Sequence, residues 1–220
     1  MNLPVNLPLH ELATSVFIAG TDTGVGKTHV AVALLRCLAA TGRRVAGMKP
    51  VAAGAALTAD GLRNDDALAL AGAASVRLPY ALLNPVCLPL ATSPHLAARA
   101  AGQPIEIAAL VKAHALIAAQ ADIVIVEGAG GWLAPIGDRE TMQDVAVALN
   151  LPVLLVVGLR LGCINHTLLT ANAIRSSGLA LAGWIANPVD PSFAATASDT
   201  ILAIEERLGG VNRYISPNTF

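Results

Sequence analysis

The chain has 220 residues, of which 55% are hydrophobic, 13% charged and 3% aromatic, and its formal net charge is −1. So apolar a composition is not that of a disordered chain. The near-neutral balance offers no basic field to a phosphate backbone, and so few aromatics cannot build base-stacking platforms, so no nucleic-acid partner is expected.

The first stretch, residues 1–15, carries prolines and no basic start ahead of an apolar run, so it does not read as a secretory signal. Residues 1–14 read as an N-terminal extension of a single α/β domain. Residues 15–20 form a first predicted strand and 28–41 the helix after it. A second strand is expected at 44–51, then helices at 65–72, 94–101 and 105–119. A strand at 122–127, a helix at 141–150 and a strand at 152–158 follow. The last elements are a helix at 165–177, a strand at 181–186 and a helix at 194–208. The longest apolar strand-like run, 151–159, is far short of the roughly 20 residues that cross a bilayer. Cys37, Cys87 and Cys163 are widely spaced with no C-x-x-C pair, which suggests neither a zinc site nor a disulfide framework. A soluble cytoplasmic protein without a membrane partner is the expected setting.

Such alternation, with strands apolar on both faces, predicts a mostly parallel sheet covered by helices on both sides. Ligands of an open sheet of this kind bind beyond the carboxyl ends of its strands. The residues just after each strand are therefore the ones to read for chemistry.

After the first strand comes Gly20-Thr21-Asp22-Thr23-Gly24-Val25-Gly26-Lys27-Thr28. Glycines here let backbone N–H groups turn around phosphate oxygens, and the helix start adds partial positive charge. Lys27 can reach the β- and γ-phosphates of a nucleotide, and the Thr28 hydroxyl is placed for Mg²⁺. This is a Walker A loop in variant form, with Thr21 where the strict pattern has glycine. The fold class it implies is P-loop NTPase-like.

A second strand-end supplies a carboxylate: Asp122-Ile123-Val124-Ile125-Val126-Glu127, followed by Gly128-Ala129-Gly130-Gly131. A carboxylate behind four apolar residues is costly unless it is paired or metal-bound. Lys49, closing the strand at 44–51, can bring a second positive charge to the same sheet edge, although the residue alone is more often a solvated surface lysine. In Arg63-Asn64-Asp65-Asp66, either aspartate can be a helix N-cap or a metal ligand, and the residues alone favour the cap. The five histidines, among them His95 and His166, show no metal-ligand spacing, and no nucleophilic triad can be argued.

Taken together, several segments resemble the dethiobiotin synthetase family. They are Gly20–Thr28, Lys49-Pro50-Val51, Gly61-Leu62-Arg63-Asn64-Asp65-Asp66-Ala67 and Thr92-Ser93-Pro94-His95. Val126-Glu127-Gly128-Ala129-Gly130-Gly131, Leu161-Gly162-Cys163-Ile164-Asn165-His166 and Ala182-Gly183-Trp184-Ile185-Ala186-Asn187 complete the series. The resemblance runs in order from about Val16 to Pro188. It implies a homodimer that uses ATP, Mg²⁺ and CO₂ to close the ureido ring of dethiobiotin on 7,8-diaminononanoate. A carbamate and a carbamic–phosphoric anhydride are the implied intermediates.

By position, the resemblance gives Mg²⁺ to Thr28, Asp66 and Glu127, moving Asp66 from cap to ligand, and gives catalysis to Lys27 and Lys49. Asp22, Thr23, Gly24, Val25, Gly26, Gly128, Ala129 and Gly130 would surround the nucleotide, with Asn187 at its base. Thr23, Lys49, Ala53 and Gly131 would hold the diamine, and Gly162, Cys163 and Asn165 would take its carboxylate across the dimer interface. Three departures stand out. Ala53 replaces a serine common in relatives, Arg160 replaces a common lysine, and residues 190–220 lack the expected Leu-Gly-x-x-Pro segment. Two other readings use the same residues. A switch ATPase of the deviant P-loop type would carry a signature lysine where Asp22 stands, and a non-catalytic relative would bind ligand without turnover.

Overall fold

Strands whose side chains are apolar on both faces must be covered on both, and the alternation along β1, Val16–Gly20, shows how this is met. Val16 and Ile18 enter one buried cluster, whereas Phe17 and Ala19 enter another on the opposite face. The same period-2 division sends Ile123 and Ile125 one way and Val124 and Val126 the other.

The computed structural model describes residues 15–215; the extension expected at 1–14 and the last five residues lie outside the described residues. After β1 come α1 (Lys27–Ala40), β2 (Val45–Met48), β3 (Val51–Ala53), β4 (Ala56–Thr58), β5 (Gly61–Arg63), α2 (Asp65–Ala73), α3 (Tyr80–Leu83) and β6 (Val86–Leu88). Then follow α4 (Pro94–Ala101), α5 (Ile107–Ala118), β7 (Ile123–Glu127), α6 (Met142–Leu149), β8 (Val153–Leu159), α7 (Cys163–Ser176) and β9 (Leu181–Pro188). A 3₁₀ turn at Pro191–Thr196, α8 (Ala197–Leu208) and β10 (Arg213–Ile215) complete the described chain.

The main sheet has six strands in the order β10-β9-β8-β1-β7-β2, and every pairing in it is parallel. α1 and α2 supply the buried Val30, Leu34, Leu35, Leu38 and Leu70 to the cluster on one face. The larger cluster on the other face takes Leu110 and Ile117 from α5, Val145 from α6, Ile174 from α7 and Ile204 from α8. Burying a leucine or isoleucine side chain of this kind contributes about 1.5–3 kcal/mol against leaving it in water.

The strand expected at 44–51 is two. Pro50 has no N–H to donate to a ladder, and the chain leaves the main sheet after Met48. It resumes as β3, which pairs in parallel with β6 in a separate small sheet. β4 and β5 form an antiparallel hairpin whose register pairs Thr58 with Gly61. The strand expected at 181–186 continues to Pro188 and so includes Asn187. The helix expected from 194 starts as a 3₁₀ turn, with Asp190 Oδ1 accepting from the Ser192 N–H at 2.9 Å.

Candidate active site

Register places the site. Ile18 on β1 lies opposite Glu127 on β7, and Met48 on β2 lies opposite Val126. Lys49, one step past Met48, therefore falls beside Glu127, one step past Val126. The Lys49 ammonium donates to Glu127 Oε1 at 2.7 Å, to Asp66 Oδ2 at 2.8 Å and to the Gly128 carbonyl at 3.3 Å. On the other side of Glu127, the Thr28 hydroxyl donates to the same Oε1 at 2.8 Å. Glu127 is fully buried, and its Oε2 has no hydrogen-bond partner among the described residues.

The loop between β1 and α1 is shaped by its glycines and held from beneath. Gly26, at the N-cap of α1, has φ +89°, and a Cβ built on it would lie 2.1 Å from Asn187 Nδ2. No side chain fits there. Asn187 in turn donates to the Val25 carbonyl at 2.8 Å, and its Oδ1 is a buried acceptor without a partner among the described residues. Lys27 donates to the Asp22 carbonyl at 3.0 Å, curling back over the loop. Asp22 accepts from the Thr23 N–H at 2.7 Å and from Arg160, at the end of β8, at 2.5 Å. The Asp22–Arg160 pair fastens the loop to the neighbouring strand.

The glycine loop after β7 is fixed in another way. Trp132 meets Phe17 of β1 edge-on, with ring centroids 6.2 Å apart at 84°. Its indole N–H donates to Gln143 Oε1 at 2.8 Å. Gly128 runs so close to Phe17 that an added Cβ would come within 3.0 Å of the ring.

Burial first, and then the nearby charge of Lys49, brings the Lys27 amine down to about 8 despite the opposing pull of Glu127, Asp66 and Asp22. Burial pulls Lys49 down as well, but the carboxylates of Glu127 and Asp66 outweigh it and hold that amine above the ordinary lysine value. Burial works to raise the Asp66 carboxyl; the charge and hydrogen bond of Lys49 more than offset it, and the group sits below the usual aspartate range.

The helix cap is neither aspartate. Asn64 caps α2, its Oδ1 accepting from the N–H groups of Asp66 at 3.1 Å and Ala67 at 3.4 Å. That leaves Asp66 free to turn toward Lys49. Asparagine is as good an N-cap as aspartate, and this was the signal available in Asn64-Asp65-Asp66. Sequence reasoning also missed Asn84, which is buried and donates to the Lys49 carbonyl at 2.7 Å.

A cavity of about 500 Å³ opens beside these groups, lined by Thr23, Lys49, Ala53, Asp66 and the 129–131 loop, with Thr92, Ser93 and Pro94 on another wall. The structure thus brings together Thr23, Lys49, Ala53, Asp66, Ala129, Gly130 and Gly131. Gly162, Cys163 and Asn165 do not line this cavity; they open α7, where Cys163 is buried, Asn165 exposed and the preceding Leu161 91% exposed.

A parallel sheet with a glycine-rich loop between its β1 strand and a helix opening on Lys-Thr, and an acidic residue ending a neighbouring strand, defines a P-loop protein of the NTPase class. The AAA domain family model matches residues 14–213, and the 54 kDa signal recognition particle protein of Aeropyrum pernix K1, solved in complex with GDP, shares the fold. That match has a TM-score of 0.52 at 19% identity, over 96% of this chain and 42% of that one. The chain is 51% identical over 193 residues to the ATP-dependent dethiobiotin synthetase BioD of Pseudomonas aeruginosa (strain UCBPP-PA14), covering 87% of this chain and 84% of the relative. It is 51% identical over 206 residues to the enzyme of the same name from Yersinia pestis bv. Antiqua (strain Angola), covering 91% and 85%. The chain belongs to the ATP-dependent dethiobiotin synthetase family.

Proposed function

We propose that this protein is an ATP-dependent ligase of biotin biosynthesis that carboxylates 7,8-diaminononanoate with CO₂ and closes the ureido ring of dethiobiotin, releasing ADP and phosphate. The observation that carries the reading is the convergence of Lys27, Thr28, Lys49, Asp66 and Glu127 at one sheet edge, beside a cavity of small-molecule size. Nothing in that set is a nucleophile poised for covalent catalysis. The chemistry it suits is charge stabilisation around phosphate in transfer.

One amine of the diamine captures CO₂ as a carbamate. Lys49, lining the cavity, receives the carbamate oxygens and holds them toward the γ-phosphate. A carbamate oxygen attacks the γ-phosphorus and the bond from that phosphorus to the β–γ bridging oxygen breaks, releasing ADP, while Lys27 meets the charge the bridging oxygen gains. The second amine then attacks the carbonyl carbon of the carbamic–phosphoric anhydride, the ring closes and phosphate leaves.

The donor set around Glu127 suits Mg²⁺, a hard cation that takes oxygen ligands. Glu127 Oε2 is buried with no partner among the described residues, and the Thr28 hydroxyl and Asp66 carboxylate flank it as oxygen donors. Thr28, Asp66 and Glu127 would hold the ion. Bound there, it would neutralise charge on the β- and γ-phosphate oxygens.

Asp22, Thr23, Gly24, Val25 and Gly26 would surround the phosphates together with Gly128, Ala129 and Gly130. Asn187, with its open Oδ1, would meet the base. Ala53 forms cavity wall where a serine would offer a hydroxyl, so the diamine is held with one hydrogen bond fewer. Gly162, Cys163 and Asn165 would serve the substrate of a second copy in a homodimer, since they do not line the cavity of their own chain. A cytoplasmic setting goes with such a biosynthetic role. Among the described residues, no helix is long and apolar enough to cross a membrane.

The test is phosphate release from ATP and Mg²⁺ with bicarbonate, with and without 7,8-diaminononanoate, coupled to mass detection of the product. Diamine-dependent release with ring-closed product supports the reading. Diamine-independent hydrolysis, or no turnover with any nucleotide, overturns it.

A further inference from the structure

Lys49 and Asp66 belong to different elements, yet their charged atoms are 2.8 Å apart. A lysine's flexible stem would follow its partner through a range of backbone positions, so the ion pair alone does not fix the two main chains. Something else holds them. The segment from Tyr80 to Asn84 grips both.

Leu83 accepts the Lys49 N–H at 2.8 Å, and Asn84 Nδ2 donates to the Lys49 carbonyl at 2.7 Å. The second Nδ2 proton goes to the Val86 carbonyl at 3.1 Å, which fixes the orientation of the amide. Asn84 Oδ1 therefore faces the Tyr80 hydroxyl and accepts its proton at 2.9 Å. The same phenolic oxygen accepts the Asn64 N–H at 2.8 Å, at the cap of the helix that carries Asp66.

A closed bracket results: Lys49 main chain, Asn84 amide, Tyr80 hydroxyl, Asn64 main chain, with the Lys49–Asp66 ion pair as its working side. Burial pushes the Tyr80 hydroxyl up to about 12, so it keeps the proton it gives to Asn84. With that proton committed, the Cys87 thiol 3.7 Å away is the donor in its own contact with the phenol. Arg63 stacks over the Tyr80 ring at 4.2 Å and holds it from outside. Neither Tyr80 nor Asn84 lines the cavity, so neither touches substrate.

We propose that Tyr80 and Asn84 are positioning residues that set the separation of Lys49 and Asp66, a role that rests on the catalytic reading of those two groups given above. A displaced pair would still bind ligands but would hold them off the productive geometry. Misplacement by about 1 Å can cost on the order of a hundredfold in rate, and loss of one hydrogen bond in the bracket is a milder perturbation.

Tyr80→Phe is the variant of choice, since it keeps the ring and its stacking and removes one oxygen. The expected result is a folded protein, by circular dichroism and cooperative melting, with kcat for dethiobiotin formation about tenfold lower. KM for ATP changes less than kcat falls, because the phosphate loop is untouched and only the Asp66 contact to Mg²⁺ is displaced. In an Asp66→Asn background the same substitution has an effect below about twofold, since the pair it positions is already broken. A purely structural loss would lower kcat equally in both backgrounds, and that outcome, or full activity in Tyr80→Phe, overturns the proposal. Asn84→Ser is the second variant, with the same expectation and the same overturning results. Should the parent itself fail to turn over, the functional reading has failed and calorimetry decides the bracket alone. Titration of ADP with and without Mg²⁺ should then show the magnesium-dependent gain in affinity reduced in Tyr80→Phe, and an unchanged gain overturns the proposal.

Discussion

Replacing Lys49 by methionine keeps most of the side-chain volume and removes the cation that Glu127 and Asp66 share. Asp66 is partly exposed and can turn to water, but Glu127 is 0% exposed and would keep only the Thr28 hydroxyl at 2.8 Å. Removing one partner of a buried pair costs about 3–5 kcal/mol, because the remaining charge is left uncompensated. For a chain of this size that is a fall of about 6–20 °C in melting temperature. Turnover should be lost as well, but that result alone would not separate catalysis from folding. The separating measurement is thermal and denaturant unfolding of the parent, Lys49→Met and Lys49→Met/Glu127→Gln. The single variant should show the full deficit and the double variant should recover most of it, with activity absent in both. A Lys49→Met protein melting within about 2 °C of the parent would refute the argument that this lysine compensates Glu127.

Gly26→Ala should place a methyl group against Asn187 and force a left-handed backbone, at a cost of about 1–2 kcal/mol for the backbone alone. Nucleotide affinity by calorimetry should fall, and parental affinity would count against the packing described for the loop. Glu127→Gln should sharply reduce turnover and raise the magnesium concentration needed for half-maximal rate; an unchanged magnesium titration would exclude it as a ligand. Lys27, brought down to about 8 from its ordinary 10.5, binds its proton less tightly in the folded than in the unfolded chain. The unfolded state therefore holds the extra proton between those values, and this group makes stability rise with pH across that window. Lys27→Met should flatten the rise in denaturant midpoint between pH 8 and 10.5, measured without ligand, and an unaltered slope would assign it elsewhere.

The parts of this fold legible in the sequence are those where burial leaves a long trace. β1, β7 and β8 are apolar on both faces over four to seven residues, and each lies within about two residues of its expected span. The all-parallel main sheet and the loop that opens α1 follow from them. Three-residue strands leave no such trace: β3, β6 and β10 could not be told from loops. β4 and β5 did carry a turn signal, Asp60-Gly61, and Gly61 does adopt φ +97°. At the site, Lys27, Thr28 and Glu127 are marked by local motifs, whereas Lys49 alone is ambiguous until register puts it beside Glu127. Asn84 and Tyr80 are illegible for another reason. Their partners are main-chain atoms of Lys49 and Asn64, distant along the chain, and no sequence period encodes a hydrogen bond across that separation.

The charges of this site are mutually engaged before any ligand is considered. Lys49 is bonded to two carboxylates, Lys27 to the carbonyl of its own loop, and Thr28 to Glu127. An arriving nucleotide must exchange places with these internal partners rather than simply add contacts. The heat of binding is then a difference between bonds made and bonds released, and will be small for the number of contacts formed. For the same reason, departure of a bound ligand restores an internal set of contacts, so these charges are not left unpaired. Internal competition of this kind works against very tight binding in either direction.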